Sequence, residues 1–357
     1  MTAPTVAGLM ASLAGHVPCP HRLALAFGGF SLDLRTNSEP LILWLARYYK
    51  DFLRPGGQAH CEILAVQSQP RELGLAYAIK APESGKSTIK EEFIDLQDGR
   101  VVHKRLTGML FLFGQGRNLA LGPCLENPNQ VVNFVNNRFI EYRLKQGCLL
   151  GHAAAVSHQG RGLALAGFSG MGKSTLALHL MNHGLNFVSN DRVMLGRDHQ
   201  GLRLYGVAKM PRVNPGTVLN NPSLAAVMPA ADREAFKDLP PEELWKLEHK
   251  YDAFIEDCFG PRRFTLQAGM TGLAILNWKH GGQGLDVTRV DLAKRRDLLP
   301  AFMKSAGLFF EEDGPHILDF SEEAYIERLK DCPVYEVTGS IDFHRAAEEL
   351  ATILKAR

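Results

Sequence analysis

The nine residues Gly167-Phe168-Ser169-Gly170-Met171-Gly172-Lys173-Ser174-Thr175 constrain this chain more than any other stretch. They match the pattern G-x-x-x-x-G-K-[ST], a phosphate-binding loop when a strand precedes it and a helix follows. Ahead of it runs Gly162-Leu163-Ala164-Leu165-Ala166, a short apolar segment suited to a buried parallel strand. Behind it Leu176, Leu180 and Met181 recur at helical spacing, and Gly184 offers a C-terminal cap. Strand, glycine loop and helix in that order predict backbone N–H groups gathered around an anion at a helix N-terminus. Gly167, Gly170 and Gly172 permit the backbone angles this requires. Lys173 is placed to reach the β- and γ-phosphates, and the Ser174 hydroxyl to hold Mg²⁺. With Ser169, Met171 and Thr175 these residues form a candidate nucleotide-phosphate site.

The segments on either side of the loop supply candidate chemistry. Leu185-Asn186-Phe187-Val188-Ser189 reads as a strand that delivers Asn190-Asp191-Arg192 at its C-terminal end, where ligands bind in open α/β sheets. Only one helix and one strand separate Asp191 from Lys173, which predicts Asp191 beside the γ-phosphate. A carboxylate there can bind Mg²⁺ or accept the proton of an attacking hydroxyl. Residues 149–156 read as one strand carrying His152, which could neutralise a phosphate or orient Asp191. Farther on, Lys209 and Arg212 are cations able to spread transition-state charge, as an arginine finger does.

These residues carry a resemblance. The run His152, Gly167 to Ser174 and Asn190-Asp191-Arg192-Val193 resembles the catalytic domain of bacterial HPr kinase/phosphorylase, and more closely the HPr-kinase-related proteins. The resemblance covers roughly residues 147–215. It implies a nucleotide-binding domain of the phosphoenolpyruvate-carboxykinase-like type with a mixed sheet, using ATP and Mg²⁺. It also implies that Asp191 is the general base, since Asp191 aligns with the second Asp of that family's Asp-Asp-Arg-Val segment. Asn190 replaces the first Asp and Arg203 stands where the family has a metal-binding Glu, so phosphorylation of HPr itself is not implied. True HPr kinases are hexamers, which leaves a homo-oligomer open.

A chain of 357 residues suggests two domains. We place the boundary at 126/127: a smaller α+β domain over 1–126, then a kinase-like catalytic domain over 127–357. The first part reads as hairpins, with turns at Gly28-Gly29, Asp98-Gly99 and Gly114-Gln115-Gly116, forming an antiparallel sheet with a helix over 39–53. A helix over 127–147 opens the second part, with further helices expected over 242–254, 298–308, 321–329 and 343–356. The second lysine-serine stretch, Gly85-Lys86-Ser87-Thr88, has Lys80 where the first glycine belongs and no strand leading in, so it reads as a loop.

Composition narrows the function class. A formal net charge of +2, without like-charge blocks, gives no case for nucleic acid or an anionic membrane surface. The first twenty residues lack the basic and apolar regions of a signal peptide, and no run of 18 apolar residues occurs. The six cysteines are scattered without a Cys-x-x-Cys pair, which fits reduced thiols in the cytoplasm. The expectation is an ATP-dependent kinase acting on a hydroxyl of a protein serine or a small molecule. The alternative is a nucleotide-dependent switch or ATPase module acting on a protein partner.

Overall fold

A computed structural model describes residues 3–82, 87–244, 247, 249–279, 281–312 and 318–356. Gly85 and Lys86 of the second lysine-serine stretch lie outside the described residues. The chain divides into two compact units, Met1–Tyr142 with Ala306–Ile317, and Arg143–Ser305 with Leu318–Arg357.

The first unit is built on an eight-stranded sheet. Its hairpins form at the expected glycine turns: His21–Phe27 with Phe30–Thr36, Glu91–Leu96 with Gly99–Lys104, and Met109–Gly114 with Arg117–Gly122. The sheet is mixed rather than antiparallel, because Cys61–Gln67 runs parallel to both Phe30–Thr36 and Arg117–Gly122. The helix Glu39–Tyr48 sits in the connection from Phe30–Thr36 to Cys61–Gln67, as parallel pairing demands a crossover. An N-terminal helix that the sequence did not announce, Val6–Ala14, is capped by Thr5. The Asp98 carboxylate accepts from the N–H groups of Val6 and Ala7 at 2.6 and 3.0 Å, satisfying two orphan donors of its first turn.

The helix Pro128–Lys145 packs with the first unit over most of its length, so the contact boundary falls at 142/143 rather than 126/127. The reason is aromatic. Phe139 meets Phe27 and Phe30, both with ring centres 5.7 Å apart, and Phe134 meets Phe111 at 5.0 Å. The later segment that returns to this unit adds Phe309, stacked on Phe113 at 5.7 Å, and Arg138 donates to the Phe309 carbonyl. Each such ring removed from water contributes about 1.5–3 kcal/mol.

The second unit holds a nine-stranded mixed sheet. Along its main path lie Asn186–Ser189, Ala153–His158, Arg161–Gly167, Gln267–Leu276, Gly201–Gly206, Val193–Asp198 and Leu149–Gly151. Arg161–Gly167 is central: it pairs antiparallel with Ala153–His158 and parallel with Gln267–Leu276, and it is buried from Gly162 onward. One face of the sheet, with Ala153, Ala155, Ala164 and Ala166, packs into a core with Phe302, Tyr325 and Leu329. The helices Lys173–Asn182 and Phe343–Lys355 pack on each other.

Two helices expected from sequence are shorter. Over 298–308 the chain makes only a 3-10 helix, Arg296–Ala301, with Pro300 inside it removing a backbone donor. Over 242–254 the described residues form one turn, Pro241–Leu244, and then the strand Tyr251–Asp252; residues 245, 246 and 248 lie outside the described residues. Tyr251–Asp252 pairs with Arg212–Val213 as a separate two-stranded ribbon.

Candidate functional site

The strand Arg161–Gly167 hands the chain to the helix Lys173–Asn182 through five residues. Gly172 stands at the N-cap with φ +81°, and a Cβ there would meet the Phe343 ring at 2.5 Å, so only glycine fits. No side chain caps this helix. Its first-turn N–H groups are left for a ligand, and the helix dipole favours an anion. The loop is held from outside by Trp278, only 1% exposed, whose indole Nε1 donates to the Met171 carbonyl at 3.0 Å. Lys173 Nζ donates to the carbonyls of Gly167 and Phe168 at 2.6 and 3.2 Å. Burial pushes the Lys173 ammonium below its ordinary value, and the Asp191 carboxylate opposes that.

The loop opens onto a cavity of about 480 Å³. Ser169, Gly170, Gly172, Lys173, Ser174 and Thr175 line it from one element, and His152, Asn190, Asp191, Lys209 and Arg212 from others. Gly167 and Met171 do not line it: Gly167 ends the strand, paired with Leu276, and Met171 is engaged by Trp278. Thr175 is 6% exposed and its hydroxyl lies 2.8 Å from that of Thr217, so it braces the wall.

Asp191 follows the strand Asn186–Ser189, and its carboxylate is gripped from two sides. His152 Nε2 lies 3.3 Å from Oδ1 and Arg192 Nε 3.2 Å from Oδ2. Burial opposes ionisation of this carboxyl. The His152 hydrogen bond and the charges of Arg192, His152 and Lys209 outweigh it and hold the group well below the usual carboxylate range. The turn is fixed by Ser189, whose hydroxyl donates to the Arg192 carbonyl and accepts from Val207 N–H at 3.2 Å.

His152 is not within a strand. The expected strand over 149–156 is two strands: Leu149–Gly151 pairs with Val193–Asp198, while Ala153–His158 pairs with Arg161–Gly167 and Asn186–Ser189. At the break, His152 N–H donates to the Phe302 carbonyl at 2.7 Å. A Cβ on Gly151 would strike the Phe302 ring at 2.4 Å, so the bare glycine admits that ring. The interruption turns His152 toward Asp191.

The remaining wall comes from the ribbon. Arg212 Nε lies 3.5 Å from Asp252 Oδ1 across the pair Arg212–Asp252. Burial pushes the Asp252 carboxyl up, against the pull of Arg212 and Lys209. Burial also pushes Lys209 down, with Arg192 and Arg212 acting the same way and Asp191 resisting. Asn214, Thr217 and Lys250 also line the cavity and were not singled out from sequence. For Asn214 a local signal existed: Asn-Pro opening a helix is an N-cap signature, and its Oδ1 accepts from Thr217 N–H at 3.0 Å. Lys250 had none, since it reaches the cavity only through the ribbon pairing.

All six cysteines are free thiols. Among the described residues no helix is long and apolar enough to cross a membrane, and no group of three or more His, Cys, Asp or Glu could hold a metal ion.

No protein-family model matches this chain, and no curated protein matches it. Among solved structures, the Hpr(Ser) kinase/phosphatase from Coxiella burnetii is similar over 58% of this chain and 88% of its own, at 13% identity and a TM-score of 0.30. The likeness is a distant structural one.

Proposed function

We propose that this protein is an ATP-dependent kinase that transfers the γ-phosphoryl group to a hydroxyl. The observation that carries the reading is a single cavity lined both by the Ser169–Thr175 loop, at an uncapped helix N-terminus, and by an ionised Asp191 held against His152. The triphosphate lies along the loop N–H groups, and Lys173 exchanges the carbonyls of Gly167 and Phe168 for phosphate oxygens. The acceptor hydroxyl donates to Asp191. As its oxygen bonds to the γ-phosphorus, the bond to the β–γ bridging oxygen breaks and that electron pair leaves with ADP. The acceptor's proton passes to Asp191.

A carboxyl held so acidic is a weak base. The transition state of phosphoryl transfer is loose in most analyses, so positioning the acceptor oxygen matters more than early removal of its proton. His152 and Arg192 fix the carboxylate for that purpose, and Lys209 and Arg212 are cations available to the charge that develops.

The donors present fit Mg²⁺. The Ser174 hydroxyl, the Asp191 carboxylate and Asn190 Oδ1 are hard oxygen ligands, and Asn190 Oδ1 is buried without a hydrogen-bond partner among the described residues. Mg²⁺ is usually held by one or two carboxylates plus substrate phosphates, so a site with one carboxylate suits it. Bound there, it would neutralise phosphate charge.

A nucleotide-dependent switch acting on a protein partner is the second reading, favoured by the presence of only one carboxylate among the described residues of the cavity lining. The deciding experiment incubates γ-labelled ATP with cell lysate and either wild type or Asp191→Asn. Label entering a protein band or a small molecule with wild type alone supports the kinase. Label released only as phosphate, or not released, overturns it in favour of the switch.

A further inference from the structure

Among the described residues the cavity lining carries four cations, Lys173, Lys209, Arg212 and Lys250, and one carboxylate, Asp191. Lys173 belongs to the phosphate loop and rests on its carbonyls. The other three come from a different region. Arg212 begins one ribbon strand, Lys209 lies just before it, and Lys250 immediately precedes the other strand, Tyr251–Asp252. Asp252 pairs with Arg212 at 3.5 Å, and its charge also acts on Lys209. Among the described residues neither Lys209 nor Lys250 forms an ion pair. Burial makes the charged form of Lys209 costly, and Arg192 and Arg212 add to that cost against the pull of Asp191 and Asp252. Asp191 feels Lys209 and Arg192, and Lys173 feels Asp191. The carboxylate lines the same cavity as the loop lysine and the ribbon cations.

We propose that the accepting compound is a small anion whose own carboxylate or phosphate sits on Arg212 and Lys250 while its hydroxyl meets Asp191. This rests on the kinase reading of the same cavity. A charge-assisted hydrogen bond to guanidinium or ammonium is about twice as strong as a neutral one, and an anion there relieves the repulsion among the three cations. A neutral acceptor leaves them with Asp191 and Asp252 as their counter-charges. Because one cavity of about 480 Å³ receives both the triphosphate end and the acceptor, the anionic group and the hydroxyl belong to one compact molecule. The transfer keeps its balance: the acceptor O–H becomes O–P, its proton goes to Asp191, ADP departs, and the anionic group is unchanged.

The test measures binding to full-length protein loaded with Mg²⁺ and the non-hydrolysable analogue AMPPNP. The probes are glycerate and glycerol 3-phosphate as anions, glycerol as the neutral match, and an uncharged serine peptide. The expected result is that at least one anionic probe binds about tenfold or more tightly than glycerol and the peptide. The glycerate and glycerol 3-phosphate arms tell carboxylate from phosphate. Lys250→Gln should weaken that binding by about tenfold while the Kd for AMPPNP stays within about twofold. The inference is overturned if no anionic probe binds, if glycerol or the peptide binds as well, or if Lys250→Gln weakens AMPPNP instead of the anion. Failure of wild type to bind AMPPNP at all would sink the underlying nucleotide reading and the inference with it.

Discussion

His152 Nε2 stands 3.3 Å from Asp191 Oδ1, although both residues occupy breaks in the sheet rather than strands. His152 fills the gap between Leu149–Gly151 and Ala153–His158, and Asp191 the turn after Asn186–Ser189. Each break is stabilised by its own backbone contact: His152 N–H to the Phe302 carbonyl, and the Ser189 hydroxyl to the Arg192 carbonyl. Two interruptions of regular pairing thus converge on one carboxylate.

On the kinase reading proposed above, that pair sets the acid side of the pH profile. The Asp191 carboxyl lies below its ordinary value partly because of the His152 hydrogen bond, so Asp191 stays ionised into acid. Replacing His152 by Asn removes that support and raises the carboxyl toward the usual range. The acid limb of the pH–kcat profile should therefore move to higher pH. A limb that stays where wild type has it would remove Asp191 from the rate-determining protonation.

Lys173→Met tests the loop. The variant loses the ammonium proposed to meet the phosphates, and the carbonyls of Gly167 and Phe168 lose their donor. A charged hydrogen bond is worth about 1.5–3 kcal/mol, so the Kd for ATP should rise roughly ten- to a hundredfold. Isothermal titration reads this directly, and an unchanged Kd would show that the loop does not hold the triphosphate.

Gly172→Ala should be costly for its size. The backbone is left-handed at φ +81°, and the new methyl would lie 2.5 Å from the Phe343 ring. Left-handed strain of roughly 1–2 kcal/mol and overpacking of about 1–3 kcal/mol act together. Chemical denaturation should lower the stability of the protein by at least about 2 kcal/mol. Phe343→Ala in the same background should recover part of it, and a double variant no better than the single would disprove the clash.

Trp278→Phe separates bracing from packing. It keeps most of the buried ring but removes the Nε1 donor to the Met171 carbonyl. Stability should fall by about 1 kcal/mol, and nucleotide affinity should fall with it because the loop loses its outer tie. Retained affinity together with the stability loss would make the indole a core residue only.

Legibility from sequence followed range along the chain. The strand Arg161–Gly167, its glycine loop and the helix Lys173–Asn182 were all readable, because each depends on glycine positions and apolar spacing within a few residues. The hairpins around Asp98-Gly99 and Gly114-Gln115-Gly116 were readable for the same reason. The apolar spacing over 298–308 suits an α-helix, yet the chain forms only the 3-10 helix Arg296–Ala301 there. The run 149–156 is apolar apart from His152, and nothing in it reveals that its halves take different partners.

By itself the sequence determined a strand–loop–helix unit with glycines in its loop, and an Asp one helix and one strand away. Only the tertiary structure decided that His152 leaves the sheet to reach that Asp, that Phe134 and Phe139 draw the helix Pro128–Lys145 into the first unit, and that a ribbon joins Arg212 to the neighbourhood of Lys250. The difference is physical. Local backbone conformation is set by steric freedom at single residues, whereas the partner of a strand, ring or charge far along the chain is chosen by which burial and pairing the whole fold can satisfy at once.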